Sequence, residues 1–116
     1  MEPKEILDKW INAFNNADVE ALGELYAADA VNHQVPNEAI NGRAAIKQMF
    51  TDELANAIMV CIPENIFQDG QWVILEWRDP MGLRGCDFFH IAEDKIIFQR
   101  CYWDKLFFMK LHDQQD

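Results

Sequence analysis

The amino-acid sequence predicts an α+β domain in which helices come first and an antiparallel sheet follows. Two observations predict it. Up to Leu54 the apolar residues recur at three- and four-residue steps, and beyond Ile58 that spacing gives way to short apolar blocks between turn signals. At 116 residues the chain is long enough to bury one core, so residues 1–110 are expected to form a single domain and residues 111–116 a polar tail.

Pro3 suits a first helical turn, and Ile6, Leu7, Trp10, Ile11 and Phe14 then form one stripe, predicting a helix that stops around Asn15 and Asn16. Asp18 is placed to cap a second, short helix with Leu22, Leu25 and Tyr26 facing inward. DAVNHQVP reads as a short extended segment ended by Pro36. After a loop through Asn41 and Gly42, residues 43–54 read as a third helix carrying Ile46, Met49, Phe50 and Leu54 on one face. Strands are predicted around residues 59–67, 72–79, 84–91 and 96–106, separated by Asp69-Gly70, Asp79-Pro80-Met81-Gly82 and Glu93-Asp94.

Ten basic against 20 acidic residues leave a net charge of -10 and no basic stripe, so the long-range field repels nucleic acid and anionic lipid. No segment approaches the roughly 18 to 20 apolar residues of a membrane span. MEPKEILDKW lacks an apolar run behind a basic start, which implies an unprocessed, soluble protein. Cys61, Cys86 and Cys101, odd in number and widely spaced, are expected as reduced thiols in a cytoplasm. His33, His90 and His112 show no metal spacing. No nucleophile elbow, phosphate loop, Rossmann fingerprint, CxxC or HExxH occurs, so a site without metal or cofactor is expected.

The stretch RGCDFFHIAEDKIIFQRCYWD contains one carboxylate, Asp87, where an apolar residue would be expected. Which way it points depends on the hairpin register, because a slip of one residue exchanges the faces. A two-residue Glu93-Asp94 turn sets Asp87 opposite Arg100, an ion pair. A three-residue Ala92-Glu93-Asp94 loop, with Asp94 at positive φ, sets it opposite Gln99 and beside Cys101. One face is then Gly85, Asp87, Phe89, Ile97, Gln99, Cys101 and Trp103. Spacing is compatible with both.

The order of these pieces resembles the SnoaL-like branch of the nuclear transport factor 2-like superfamily, the cone-shaped fold shared with ketosteroid isomerase and limonene epoxide hydrolase. YAADAVNHQVP followed by GRAAI, and the terminal YWD after the EDKI turn, carry the resemblance, which covers nearly the whole chain. It implies N-terminal helices packed on a curved antiparallel or mixed sheet that encloses a pocket. Such proteins normally have Gly where this chain has Asp94, which favours the three-residue loop and an inward Asp87. Asp87 then resembles the second carboxylate of the ketosteroid isomerases, the protonated acid that hydrogen-bonds an enolate oxygen. Their proton-shuttling Asp corresponds to about Gln34 and their oxyanion Tyr to Trp10, so two of the three isomerase groups are replaced. Of the epoxide hydrolase pattern, Asp79 matches one aspartate. Cys101 replaces the other, Trp77 the arginine, and Asn32 and Gln34 the water-holding Tyr and Asn, so epoxide hydrolysis is not expected. Polyketide cyclases of this branch use an acid/base Asp in the same cavity, which implies a carbon-acid reaction.

A carboxylate on an apolar strand face must be paired, hydrogen-bonded or neutral. Near Trp10, Trp77, Phe89 and Trp103, Asp87 is expected to have a raised pKa, which suits acid/base work near neutrality. The opposing possibility is a carboxylate that merely accepts bonds from Gln99 or water. Asn32, Gln34 and Gln99 are expected to orient a ligand, with Cys101 as a small lining residue and His33 as a structural histidine. Asp79, before Pro80, is also a natural turn residue. The expected ligand is a small hydrophobic carbonyl compound, handled by a cofactor-free isomerase or cyclase. The alternative is a non-catalytic ligand-binding or dimerisation module. On the other sheet face Trp72, Ile74, Glu76, Arg78, Phe88, His90, Phe98, Arg100 and Tyr102 have no fourth helix to cover them, so a homodimer packed sheet to sheet is expected. A monomer with arginines lying over the aromatics is the alternative.

Overall fold

The computed structural model describes residues 1–113. Three helices, α1 (Pro3–Asn15), α2 (Val19–Glu24) and α3 (Arg43–Asn56), pack on the inner face of a six-stranded sheet. Its strands are β1 (Tyr26–Gln34), β2 (Ile40–Asn41), β3 (Ile62–Asp69), β4 (Trp72–Arg78), β5 (Arg84–Ala92) and β6 (Lys95–Trp103), in the order β2-β1-β6-β5-β4-β3. All neighbours are antiparallel except β1 and β6, so the sheet is mixed, as expected. A fourth helix, α4 (Lys105–Asp113), ends the described chain.

Local chemistry fixes the helices. Pro3 occupies the first turn of α1, and Ile6, Leu7, Trp10 and Phe14 are its buried stripe. At its last residue the Asn15 carboxamide donates to the Cys61 carbonyl (2.9 Å) and accepts from the Cys61 amide (2.7 Å), clamping α1 to the chain entering β3. Asp18 Oδ1 accepts from the Ala21 amide at 3.1 Å, the expected cap of α2. Gly42 precedes α3 at φ 94, a left-handed value that favours glycine, and lets Ile46 and Phe50 turn into the core. These side chains meet Val73, Leu75, Phe89, Ile91 and Ile96 from the sheet, all at most 2 % exposed. Burying one such side chain contributes about 1.5–3 kcal/mol. Among the described residues no helix is long and apolar enough to cross a membrane.

Three expectations are corrected. The last strand ends at Trp103 instead of Leu106, because Asp104 Oδ1 accepts from the Phe107 amide (3.0 Å) and starts α4. The chain therefore has a fourth helix, and the tail expected at 111–116 is helical through Asp113; its residues 114–116 lie outside the described ones. The β5–β6 turn is the two-residue Glu93-Asp94, with φ 52 and 62, followed by a bulge between His90 and Ile91 and their partners. Ile91 pairs with Ile96 but His90 with Phe98, so Asp87 faces Cys101 and neither Gln99 nor Arg100. The extra residue restores the parity of the three-residue loop, so Asp87, Phe89, Gln99 and Cys101 share the inner face. Only next to the turn is the assignment reversed, with Ile96 buried and Ile97 half-buried.

Candidate functional site

Inner-face side chains at the centre of the sheet form one buried hydrogen-bond chain. Trp10 Nε1 on α1 donates to Tyr26 Oη at 2.9 Å, and the Tyr26 hydroxyl donates to Gln99 Oε1. Asn32 Nδ2 donates to the same oxygen at 3.1 Å. Gln99 Nε2 then donates to Asp87 Oδ2 at 3.2 Å, and Trp77 Nε1 to Asp87 Oδ1 at 3.2 Å. The Cys101 thiol is the third donor to the carboxylate. Strand pairing explains the convergence, since Asn32 lies beside Gln99 across β1–β6, and Asp87 lies between Cys101 on β6 and Leu75 on β4.

Asp87 is 3 % exposed and joins none of the ion pairs among the described residues. Burial pushes its carboxyl up from 3.8 to about 6, against the pull of Cys101, Trp77 and Gln99, whose donors favour the charged form. The group can therefore give or take a proton near neutrality. Its neighbours cannot: burial pushes the Cys61 thiol up to about 12 and raises Cys86, Cys101 and Tyr26, with the Asp87 charge adding to each.

Of the expected site residues, Trp10, Asn32, Trp77, Gln99 and Cys101 are thus brought to Asp87 or to its network. Phe89 is fully buried edge-on against Trp10. Trp103 lies opposite Gly85 at the end of β6, in ring contact with Phe108 of α4. The Trp77 ring lies on Gly85 so closely that a Cβ there would come within 2.2 Å of it, which is why this position needs glycine. Asp79 is elsewhere, its Oδ1 accepting from the Met81 and Leu83 amides (2.9 and 2.8 Å) to hold the β4–β5 turn. Gln34 donates to Glu53 Oε1 at 3.2 Å and lines a cavity of about 150 Å³ with Asn37, Glu38, Ile40, Met49 and Glu53. Burial raises the Glu53 carboxyl as well, against its bond from Gln34.

The closed pocket expected around Asp87 is instead filled by side chains. Trp10 stacks on Phe14 at 5.0 Å and meets Phe50 and Phe89 edge-on at 6.4 and 5.3 Å. Neither the Gln34 cavity nor a wider depression of about 510 Å³ between α1 and β3 borders Asp87. The Gln34 cavity is nevertheless close: Gln34 pairs with Cys101, which pairs with Asp87.

Two polar groups join the site that the sequence reading did not single out. Tyr26 reads as an apolar inward residue of α2 but is the first residue of β1, and its hydroxyl links Trp10 to Gln99. Glu53 is seven residues beyond Ile46 and four beyond Met49, on the buried stripe of α3, and that spacing was the available signal.

The sequence profile of the SnoaL-like domain matches residues 7–99. No curated protein matches the chain. Among solved structures, the fold is similar to SalBIII, an epoxide hydrolase/cyclase-like enzyme of pyran ring formation in the polyether salinomycin. The TM-score is 0.79 with 24% identity, over 90% of this chain and 92% of that one. It is also similar to a candidate polyketide cyclase from Sinorhizobium meliloti, with TM-score 0.78, 19% identity and coverage of 87% and 99%. A third likeness is a protein of ketosteroid isomerase-like fold from Catenulispora acidiphila, in complex with trimethylamine, with TM-score 0.77, 18% identity and coverage of 87% and 86%. At these identities the likenesses establish the fold.

Proposed function

Because this chain belongs to the SnoaL-like domain family, we propose that it is a cofactor-free isomerase or cyclase acting on a small hydrophobic carbonyl compound, with Asp87 as its acid/base. The observation that carries this reading is a buried carboxyl with no ion pair among the described residues, pushed up to about 6, on the inner face of the sheet. In the reaction the Asp87 carboxylate takes a proton from carbon next to the substrate carbonyl. The C–H electron pair moves into the carbonyl as an enolate. In isomerisation the Asp87 carboxyl, after exchange with solvent, returns a proton to carbon; in cyclisation the enolate carbon bonds to a second carbonyl carbon whose oxygen takes the proton. Gln34, Asn32 and Gln99 orient the ligand, which enters at the Gln34–Glu53 cavity; the Cys101 side chain stands between that cavity and Asp87 and has to shift for the two to meet. The acid and the cyclase-like neighbours support this reading.

The assembly we propose is a homodimer through the outer sheet face. There the Arg100 guanidinium lies 5.5–5.7 Å from the Phe88, Phe98 and Tyr102 rings, and its Nε has no hydrogen-bond partner. Glu76 on the same face of a second copy supplies the missing acceptor across a two-fold axis.

One observation favours a second reading, a non-catalytic module: Trp10, Phe14, Phe50 and Phe89 occupy the space where a ligand would sit. The test is exchange in D2O. A panel of hydrophobic β,γ-unsaturated ketones and β-keto esters is incubated with the protein, and loss of the α-proton signal is followed by NMR. Exchange above buffer that disappears in Asp87→Asn supports the enzyme. Exchange equal to buffer, or unchanged in that variant, assigns the module.

A further inference from the structure

The Asp87 network has a direction, and that direction belongs to one protonation state. Three donors converge on the carboxylate, from Trp77, Gln99 and Cys101, which suits an ionised Asp87. A protonated Asp87 has an O–H that needs an acceptor in the same enclosed space. The indole N–H of Trp77 only donates, and a thiol sulfur is a weak acceptor. Gln99 differs from both, because half a turn of its carboxamide puts Oε1 where Nε2 now stands.

We propose that Gln99 is a positioning residue whose carboxamide turns end for end when Asp87 gains a proton, passing the change to Tyr26 and Asn32 on the neighbouring strand. In the ionised arrangement Gln99 Oε1 accepts from both the Tyr26 hydroxyl and Asn32 Nδ2. In the turned arrangement Oε1 accepts from the Asp87 carboxyl, and Nε2 faces Tyr26 and Asn32. Asn32 turns with it to present Oδ1, which accepts from Gln99 and from the Tyr26 hydroxyl. Tyr26 keeps its bond from Trp10. The carboxamide of Asn32 is free to turn at its oxygen end, since Oδ1 is buried and has no hydrogen-bond partner in the ionised arrangement. Almost the same number of bonds is kept in both states, so the relay has no large barrier of lost hydrogen bonds.

Asp87 is the switch because the titratable groups around it hold their protons. Cys101 on β6, Cys86 beside it on β5, Cys61 ahead of β3 and Tyr26 on β1 are all raised by burial. Leu75 faces it from β4, and Trp10 reaches the network from α1. Glu53 on α3 acts only at a remove, through Cys101, and Glu76 on β4 only through Cys86. The inference stands on this geometry and does not depend on the proposed reaction.

The test is NMR of the full chain, following the Asp87 carboxyl carbon and the nuclear Overhauser contacts of the Gln99 side-chain amide protons from pH 4.5 to pH 8. Above the Asp87 midpoint those protons should contact the Asp87 β-protons. Below it they should contact the Tyr26 ring protons, and Asp87→Asn should give the low-pH pattern even at pH 8. A contact pattern unchanged through the Asp87 titration overturns the proposal, and so does an Asp87 that does not titrate in this range. The wild-type titration decides the matter alone if Asp87→Asn does not fold. Absence of exchange catalysis in D2O would leave this result untouched, so the two failures are distinguishable.

Discussion

Replacing Asp87 by Asn should reverse part of the pH dependence of folding. The folded carboxyl lies at about 6 against an ordinary 3.8, a difference equivalent to about 3 kcal/mol. Since the folded value is the higher one, the protonated group favours folding. Its contribution is complete below 3.8 and is lost as pH rises through about 6. Between pH 5 and pH 8 the loss from this one group is about 1.4 kcal/mol. Asn cannot ionise, yet it keeps the shape of Asp, and its oxygen can still accept from Trp77 Nε1. Urea denaturation of both proteins at the two pH values isolates the effect, because any pH-independent loss of a bond cancels. The stability of Asp87→Asn relative to wild type should improve by about 1.4 kcal/mol from pH 5 to pH 8. A difference that stays constant within about 0.5 kcal/mol would refute the buried-acid account, as would a variant that fails to fold at both pH values.

Three further substitutions test other parts of the structure. Gly85→Ala should drive the Trp77 ring off the strand and cost about 1–3 kcal/mol, with a changed Trp77 indole resonance in NMR. An unmoved indole signal would deny the close approach. Glu93→Gly relieves a side chain held at φ 52 and should stabilise the fold by about 1 kcal/mol in urea denaturation. Phe98→Glu on the outer face should convert a dimer to a monomer in sedimentation at micromolar concentration; a wild-type monomer, or a dimer indifferent to this change, removes that interface.

Much of the fold was legible because helical spacing dominates up to Leu54 and strand patterning follows Ile58, with β1 and β2 the exception between α2 and α3. The caps at Pro3 and Asp18 and the turn residues mark boundaries that the structure reproduces within a few residues. Spacing left the face of Asp87 open and the resemblance favoured the inward one through a three-residue loop, whose parity the two-residue turn with one bulged residue shares. The bulge itself was not. Ile96 and Ile97 are identical side chains, so the pattern serves either register and the sequence carries no mark of which one enters the core. DKLFFMK likewise suits a strand or a helix, and the decisive cue, Asp104 as a cap, is a single short side chain. The filled interior is the deepest gap, because Trp10, Phe14, Phe50 and Phe89 are the residues that would either line a cavity or close it. Their packing depends on α1, α3 and β5 approaching one another, which no spacing encodes.

Whether Asp87 is the proton carrier of a ligand site is decided by a carbon-13 titration of its carboxyl, free and with a saturating hydrophobic ketone. The midpoint should lie near 6 in the free protein. With the ketone bound it should rise, since an apolar ligand excludes water and its carbonyl accepts a bond from the neutral acid. A free midpoint near 4, or one near 6 that no ketone in the panel moves, would contradict the claim that Asp87 is the proton carrier of a ligand site.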